Sequence, residues 1–589
     1  MRHHISRTAF ILALGLSSIS LQAQIDDEYD EIVVTGMRVT AGGAQDINYF
    51  RGSVDRGEVP HADTMTSEGL LSQHDLILTS TTPCMQTLCL NGEAMKMSSG
   101  NMLGADYFLG LAFDTNIDGA TWSRDPLNLV VVIDKSGSMS GEPLEQARKS
   151  VRAAIGKMQP GDQISIVLYG NVVETYLEPT KITRSNKGAL KTKVKAIESR
   201  GSTNMEAGLV RAFELAKSTQ ADFDGMTRVM LFTDERPNVG KTDAGSFMGM
   251  AEAASEFDIG MTTVGVGIIF GAELATKVSS VRGGNLFFVR DDDDIERLFS
   301  TEFDFMVSEV ARDMTVRVTP RSGYKISGIY GVPQDSFTRL GDSVEMSVAT
   351  AFLSSAGGGL FLGVTRDNPD LPPEPVEDAE SFATAQLIYT DSATKARQMQ
   401  TVTAAAMDRP SENLQKASLL SQQYVALRSA ANSHHEDNDQ MAAFQTLKRF
   451  SDILEASPVE GLDEERELVS TLTATTGYLS GNMEYAEKLP ASMRLINKWK
   501  IMGVTGSEDL RRGDVLQFDK DDNFTIFRRK RSLKTSDEVE YYRVNDEQVY
   551  LSDSDLTLNY KFKKGGKLLL THPKGDLSIR LSPYEAAMP

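Results

Sequence analysis

Leu129, Val130, Val131, Val132 and Ile133 form an unbroken aliphatic run that ends abruptly in Asp134-Lys135-Ser136-Gly137-Ser138. An amphipathic helix or a half-exposed strand interrupts such a run with polar residues. A short aliphatic run bounded by a turn reads instead as a strand buried on both faces, as in a parallel sheet covered by helices. The run therefore points the surrounding chain toward an α/β layered architecture. Its end is equally constraining, because one carboxylate and two hydroxyls alternate along the loop. Hard oxygen donors on one tight loop suit a hard divalent cation such as Mg²⁺. The competing reading makes Asp134 a helix cap and the two serines turn residues.

Across residues 126–300, strand-like and helix-like stretches alternate, which predicts a doubly wound, Rossmann-like parallel sheet. Strands are expected at 127–133, 163–169, 172–177, 227–233, 259–266 and 285–289. Helices are expected at 142–158, 187–199, 205–218, 244–257 and 271–281. Leu144, Ala147, Val151, Ala154 and Met158 recur at helical spacing and supply one apolar stripe for the core. In open sheets of this kind ligands bind beyond the carboxyl ends of the strands. Asp234 follows the apolar stretch Val229-Met230-Leu231-Phe232-Thr233 at such an end. Thr203 lies in the turn Gly201-Ser202-Thr203-Asn204, which opens the next helix. Three loops then present oxygen donors toward one point.

Asp134, Ser136 and Ser138, with Thr203 in Gly-Ser-Thr-Asn and Asp234 in Phe-Thr-Asp-Glu, resemble the metal-ion-dependent adhesion site of von Willebrand factor type A domains. The resemblance spans about residues 126–300. It implies Mg²⁺, with Mn²⁺ or Ca²⁺ as alternatives, on the upper edge of the sheet. It implies that Ser136 and Ser138 coordinate directly, and that Thr203, Asp134 and Asp234 do so directly or through water. It also implies a protein partner that offers an Asp or Glu to the metal.

The chain has 589 residues and a formal net charge of −21. That length suits about three or four domains, and the acidity weighs against nucleic acid as a partner. Arg2 and Arg7, an apolar run and Gln22-Ala23-Gln24 have the layout of a signal peptide over 1–23. Residues 24–60 read as a flexible leader. Within it, Asp30-Glu31-Ile32-Val33-Val34-Thr35-Gly36-Met37-Arg38 resembles the TonB box of outer-membrane TonB-dependent receptors, a segment suited to adding a strand to a TonB-like partner. Together these features place the chain in the periplasm or at the outer-membrane surface of a Gram-negative envelope, with secretion as the alternative. Cys84 and Cys89 are the only cysteines. In an exported chain they are expected to pair, two free buried thiols being the alternative.

The flanks divide by pattern. Residues 61–125 read as strands, or one helix plus strands, of a β-rich element, with 70–78 and 107–113 as apolar segments. Residues 301–390 read as an antiparallel β-sandwich. If 61–125 pairs with it, the α/β domain is an insertion in that sandwich. Residues 391–485 read as helical, with Leu414, Ala417, Leu420, Tyr424 and Leu427 on one stripe, and with His434 and His435 in a solvated loop. Residues 490–589 carry eight short strands and suggest a small up-and-down barrel. The acidic run 291–294 reads as a solvated helix start. Arg528-Arg529-Lys530-Arg531 reads equally as the charged edge of a strand and as a contact for envelope components, such as lipopolysaccharide phosphates or peptidoglycan carboxylates, or for the chain's own acidic face. The composite expectation is an exported, metal-dependent binding or assembly protein that is not an enzyme. The alternatives are a carrier of small hydrophobic ligands through the barrel and a metal-dependent hydrolase. No motif places a His or Glu base beside the metal loop, and no P-loop, nucleophile elbow or zinc signature is present.

Overall fold

Strand Leu127–Asp134 is buried along its whole length and is flanked by two parallel neighbours, Gln163–Tyr169 and Met226–Thr233. The computed structural model describes residues 38–41, 47–78, 83–119, 121–200, 204–234, 255–266, 283–332, 337–354, 358–368, 381–406, 409–507, 509–518, 523–527, 539–544, 548–551, 554, 556–563 and 567–584. The signal-peptide stretch, residues 30–37 of the TonB-box-like segment, Thr203 and the basic cluster 528–531 lie outside these residues. So do the helix expected at 271–281 and all but the end of the helix expected at 244–257.

The central sheet has the order Glu174–Lys181, Gln163–Tyr169, Leu127–Asp134, Met226–Thr233, Ile259–Val266, Gly284–Val289. Five strands are parallel. The outer strand Glu174–Lys181, expected from the pattern as one more strand of the parallel sheet, runs antiparallel to Gln163–Tyr169. Residues 170–173, which join the two, are too few for a crossover, so a hairpin is the available connection. Side chains alternate across the first strand. Val131 and Ile133 pack with Leu144 and Val151 of helix Glu142–Lys157, and with its C-cap Met158, on one face. Val130 and Val132 pack with Leu209, Ala212 and Leu215 of helix Met205–Gln220 on the other.

This α/β layer is inserted into a second, ten-stranded sheet. Strand Tyr107–Asp114 precedes the insertion and Glu309–Pro320 follows it. Pairing within the larger sheet is antiparallel except where Arg397–Ala406 meets Cys89–Lys96 in parallel. The sheet folds over a shared core that includes Leu109, Val316, Ile326, Leu362 and Leu387. Two buried arginines fasten the insertion. Arg124, just before the first central strand, grips Asp162 through two bonds of 2.9 and 2.6 Å. Arg228 donates to Thr262 Oγ1 and the Gly283 carbonyl at 3.0 Å, and to Glu309 Oε1 of the larger sheet at 2.7 Å. A buried guanidinium is tolerated because a carboxylate and further acceptors surround it.

Three expectations change in the flanks. The leader does not extend to residue 60, because helix Asn48–Asp55 buries Phe50 and Val54, with Ile47 just before it. Apolar residues at helical spacing make that stretch core-forming. Of the two readings for 61–125, the structure has a helix with strands: the short helix Ser67–Leu71, capped by Thr66, precedes strands Cys89–Lys96 and Tyr107–Asp114. Helical structure does not begin at 391, since Arg397–Ala406 is a strand closing a hairpin with Ser381–Asp391. His434 and His435 are the last turn of helix Glu412–His435 rather than a loop, with His435 Nε2 2.7 Å from the Val59 carbonyl. Beyond that helix, Gln440–Ala456 and Asp463–Leu479 complete a helical layer. Cys84 and Cys89 form a disulfide. At the C-terminal end, eight strands from Asn497–Thr505 to Ser578–Pro583 close into an antiparallel barrel. Its interior is filled by side chains that include Trp499, Phe518, Leu551, Leu570 and Leu581. Among the described residues no helix is long and apolar enough to cross a membrane.

Candidate metal centre

The strand order places the site. From Leu127–Asp134 the chain crosses to Gln163–Tyr169 on one side and later returns to Met226–Thr233 on the other. The carboxyl ends flanking this switch point are therefore adjacent, with Ile133 opposite Phe232. Asp134 closes strand Leu127–Asp134, and Asp234 directly follows strand Met226–Thr233 to join this group. Asp134 is fully buried and Ser136 is 1% exposed, while Ser138 reaches the surface.

Hydrogen bonds join these groups into one cluster. The Ser136 amide donates to Asp134 Oδ1 at 2.8 Å. Thr233 Oγ1 donates to Asp134 Oδ2 at 3.2 Å. The Ser136 and Ser138 hydroxyls lie 3.0 Å apart, and Ser138 Oγ donates to Asp234 Oδ1 at 3.0 Å. The structure thus brings together Asp134, Ser136, Ser138 and Asp234, four of the five motif residues. Thr203 lies outside the described residues, immediately before Asn204, whose side chain caps helix Met205–Gln220 through the Ala207 amide at 3.2 Å.

The electrostatics of the cluster are those of crowded acids. Burial raises the pKa of Asp134, and the bonds from Ser136, Tyr169 and Thr233 offset only part of that. Burial and then the neighbouring Asp134 charge push Asp234 up to about 6, against a smaller opposing effect of the Ser138 hydroxyl. Among the described residues no basic side chain pairs with either carboxylate. Lys135, inside the motif, turns away to pair with Glu174. A divalent cation fits this donor set. It would be held by the Asp134 and Asp234 carboxylates and the Ser136 and Ser138 hydroxyls, all hard oxygens, and its charge would offset the burial that raises both acids and the repulsion that adds to it at Asp234. Among the described residues no group of three or more His, Cys, Asp or Glu is placed to bind a metal.

Two residues around the site went unnoticed in the sequence. Tyr169 and Thr233 both support the ionised Asp134. Tyr169 pairs with Asp134 in strand register, so strand alignment was the signal that could have found it. The acidic run 291–294 is a helix start, with Asp291, Asp292 and Asp293 exposed and only Asp294 buried. Asp291 caps the Asp294 amide at 2.9 Å, Asp292 pairs with Lys149, and Asp294 bonds Arg290 and Asn48.

Residues 128–301 match the family model of the von Willebrand factor type A domain. The chain contains a von Willebrand factor type A domain. The chain is 28% identical over 193 residues to the uncharacterized protein YfbK of Escherichia coli (strain K12), covering 32% of this chain and 33% of that protein. It is 26% identical over 230 residues to inter-alpha-trypsin inhibitor heavy chain H4 of Homo sapiens, covering 38% of this chain and 24% of that protein. The chain thus spans about a third or less of the length of these curated relatives. Among solved structures, a von Willebrand factor type A protein from Catenulispora acidiphila aligns with a TM-score of 0.45 and 12% identity, covering 67% of this chain and 91% of that one. A von Willebrand factor type A domain supports a role in protein interaction or adhesion.

Proposed function

We propose that the protein is an exported binding or assembly protein of a Gram-negative cell envelope, without enzymatic activity of its own, whose type A domain captures an acidic side chain of a partner protein through Mg²⁺. The observation that carries this reading is the cluster of Asp134, Ser136, Ser138 and Asp234 at the switch point, two mutually repelling carboxylates and two hydroxyls with no basic partner among the described residues. Bound there, the cation would supply Lewis acidity with a position open to a partner carboxylate. The residues of this chain hold the donors in place: the Ser136 amide and Thr233 hydroxyl orient Asp134, and Ser138 orients Asp234. Thr203 belongs to the proposed donor set through its place in the motif. Export rests on the residue pattern of 1–23.

Calorimetric titration with Mg²⁺ and a crosslinking pull-down from envelope extract test the proposal together. Wild-type protein is expected to bind Mg²⁺ and to capture a partner only when Mg²⁺ is present. Asp134→Ala is expected to lose both while keeping its circular-dichroism spectrum. Equal capture in chelator and in Mg²⁺ would overturn it. The carrier reading draws no support from the barrel, whose interior is occupied by its own aromatic and aliphatic side chains.

A further inference from the structure

Two glutamates are buried where the N-terminal segment 47–78 meets the helical layer, and their surroundings are opposite. Glu465 is fully buried and receives Arg51, His74 and Gln423. Glu68, on helix Ser67–Leu71, is 3% exposed. Both of its carboxyl oxygens are closed off from solvent and have no hydrogen-bond partner among the described residues. The nearby Thr66 and Ser67 hydroxyls and the Glu68 backbone amide offset only part of the cost of burial. Thr66 Oγ1 accepts the Gly69 amide at 3.1 Å. Ser67 Oγ accepts the Gly331 amide at 3.1 Å and points its own proton toward the Val332 carbonyl at 3.4 Å.

The surroundings of Glu68 are apolar and aromatic. Its helix packs on helix Glu412–His435 within the cluster that contains Met65, Leu70, Leu71, Leu420 and Tyr424. The ionisable group facing it from that helix is Tyr424, which feels the Glu68 charge. Arg428, the nearby cation, is spent on the Tyr424 hydroxyl at 2.8 Å. From strand Tyr324–Tyr330, Tyr330 lies edge-on to Tyr424 at 6.3 Å. An unpaired carboxylate in such a place carries the full desolvation cost, and the group takes up a proton instead.

We propose that Glu68 is stored in the fold as a neutral carboxylic acid and serves as a pH-sensitive latch, its ionisation loosening segment 47–78 from the helical layer. Burial pushes Glu68 up to about 7 from an ordinary 4.5. The folded value lies above the unfolded one, so the latch is whole below about pH 4.5 and weakens as pH rises through about 7. The same gap corresponds to about a 300-fold change in the opening equilibrium once both states are ionised.

The test is hydrogen exchange at residues 67–71 in the full chain, corrected for intrinsic rates, comparing wild type with Glu68→Gln. Every titrating group other than Glu68 is common to both proteins and cancels in the comparison. Between about pH 4.5 and about pH 8 the wild-type opening constant is expected to rise about 100-fold more than that of the variant. Parallel pH curves would overturn the proposal. If Glu68→Gln does not fold, pH-difference infrared spectroscopy of wild-type protein carrying ¹³C-labelled glutamate decides. A protonated glutamate carbonyl that titrates near pH 7 supports the latch, and loss of every such signal by about pH 5.5 refutes it.

Discussion

Replacing Glu465 by Gln removes one charge from a buried network while keeping the shape of the side chain. In the wild type its oxygens meet Arg51 Nη2 at 2.5 Å, His74 Nε2 at 3.0 Å and Gln423 Nε2 at 2.5 Å. Burial by itself would raise its pKa, but the bond from His74, the Arg51 charge and the bond from Gln423 outweigh it and hold Glu465 at about 2, against an ordinary 4.5. At about 1.4 kcal/mol for each pH unit, that gap is worth about 3 kcal/mol. An independent estimate agrees, since breaking a buried ion pair by removing one partner costs about 3–5 kcal/mol. Glu465 is fully buried, so screening by solvent does not reduce the figure. Hydrogen exchange at helix Asp463–Leu479 is therefore expected to show an opening free energy about 3 kcal/mol lower in Glu465→Gln at neutral pH. The sign with pH also follows. The folded value is depressed, so the wild-type advantage is present above about pH 4.5 and disappears as pH falls toward about 2. A loss under about 1 kcal/mol at neutral pH, or parallel wild-type and variant curves in acid, would refute the reasoning.

Asp234→Asn relieves the repulsion with Asp134 and keeps an acceptor for Ser138. In chelator it is expected to stabilise the type A domain by about 1 kcal/mol, allowing for the partial exposure of Asp234. In Mg²⁺ the order reverses, because wild type at about 100 times its dissociation constant gains about 2.7 kcal/mol; urea unfolding with and without Mg²⁺ reads both signs. Glu309→Ala leaves Arg228 buried without its carboxylate and is expected to cost about 3–5 kcal/mol in exchange-derived stability of strand Met226–Thr233, with Arg228→Met/Glu309→Met recovering most of it. Gly208→Ala would place a Cβ 2.8 Å from the Cβ and ring of Tyr169. The expected loss is about 1–3 kcal/mol on urea unfolding, with weaker Mg²⁺ binding because Tyr169 braces Asp134.

The features legible in the sequence are those encoded over short spans. A five-residue aliphatic run marks the central strand, alternation of strand and helix marks the doubly wound sheet, and eight short strands mark the barrel. Asp134, Ser136, Ser138 and Asp234 were visible as strand-end residues because the parallel topology places such ends along one edge. The mistaken stretches are local as well. The leader hides a helix whose apolar residues find their partners only in distant chain, and Arg397–Ala406 becomes a strand because Ser381–Asp391 is there to pair with it.

Sequence alone determined the α/β layer and the oxygen-rich loop, because hydrophobic periodicity and turn chemistry act between near neighbours. Tertiary structure decided which charges meet. Arg51 and Glu465 are 414 residues apart, and Arg228 meets Glu309 across two sheets. Nothing in local pattern distinguishes Glu465, which acquires Arg51, His74 and Gln423, from Glu68, which among the described residues has only nearby hydroxyls and its own amide to set against burial. A carboxylate's ionisation depends on the dielectric and the donors around it, and packing of distant elements supplies both.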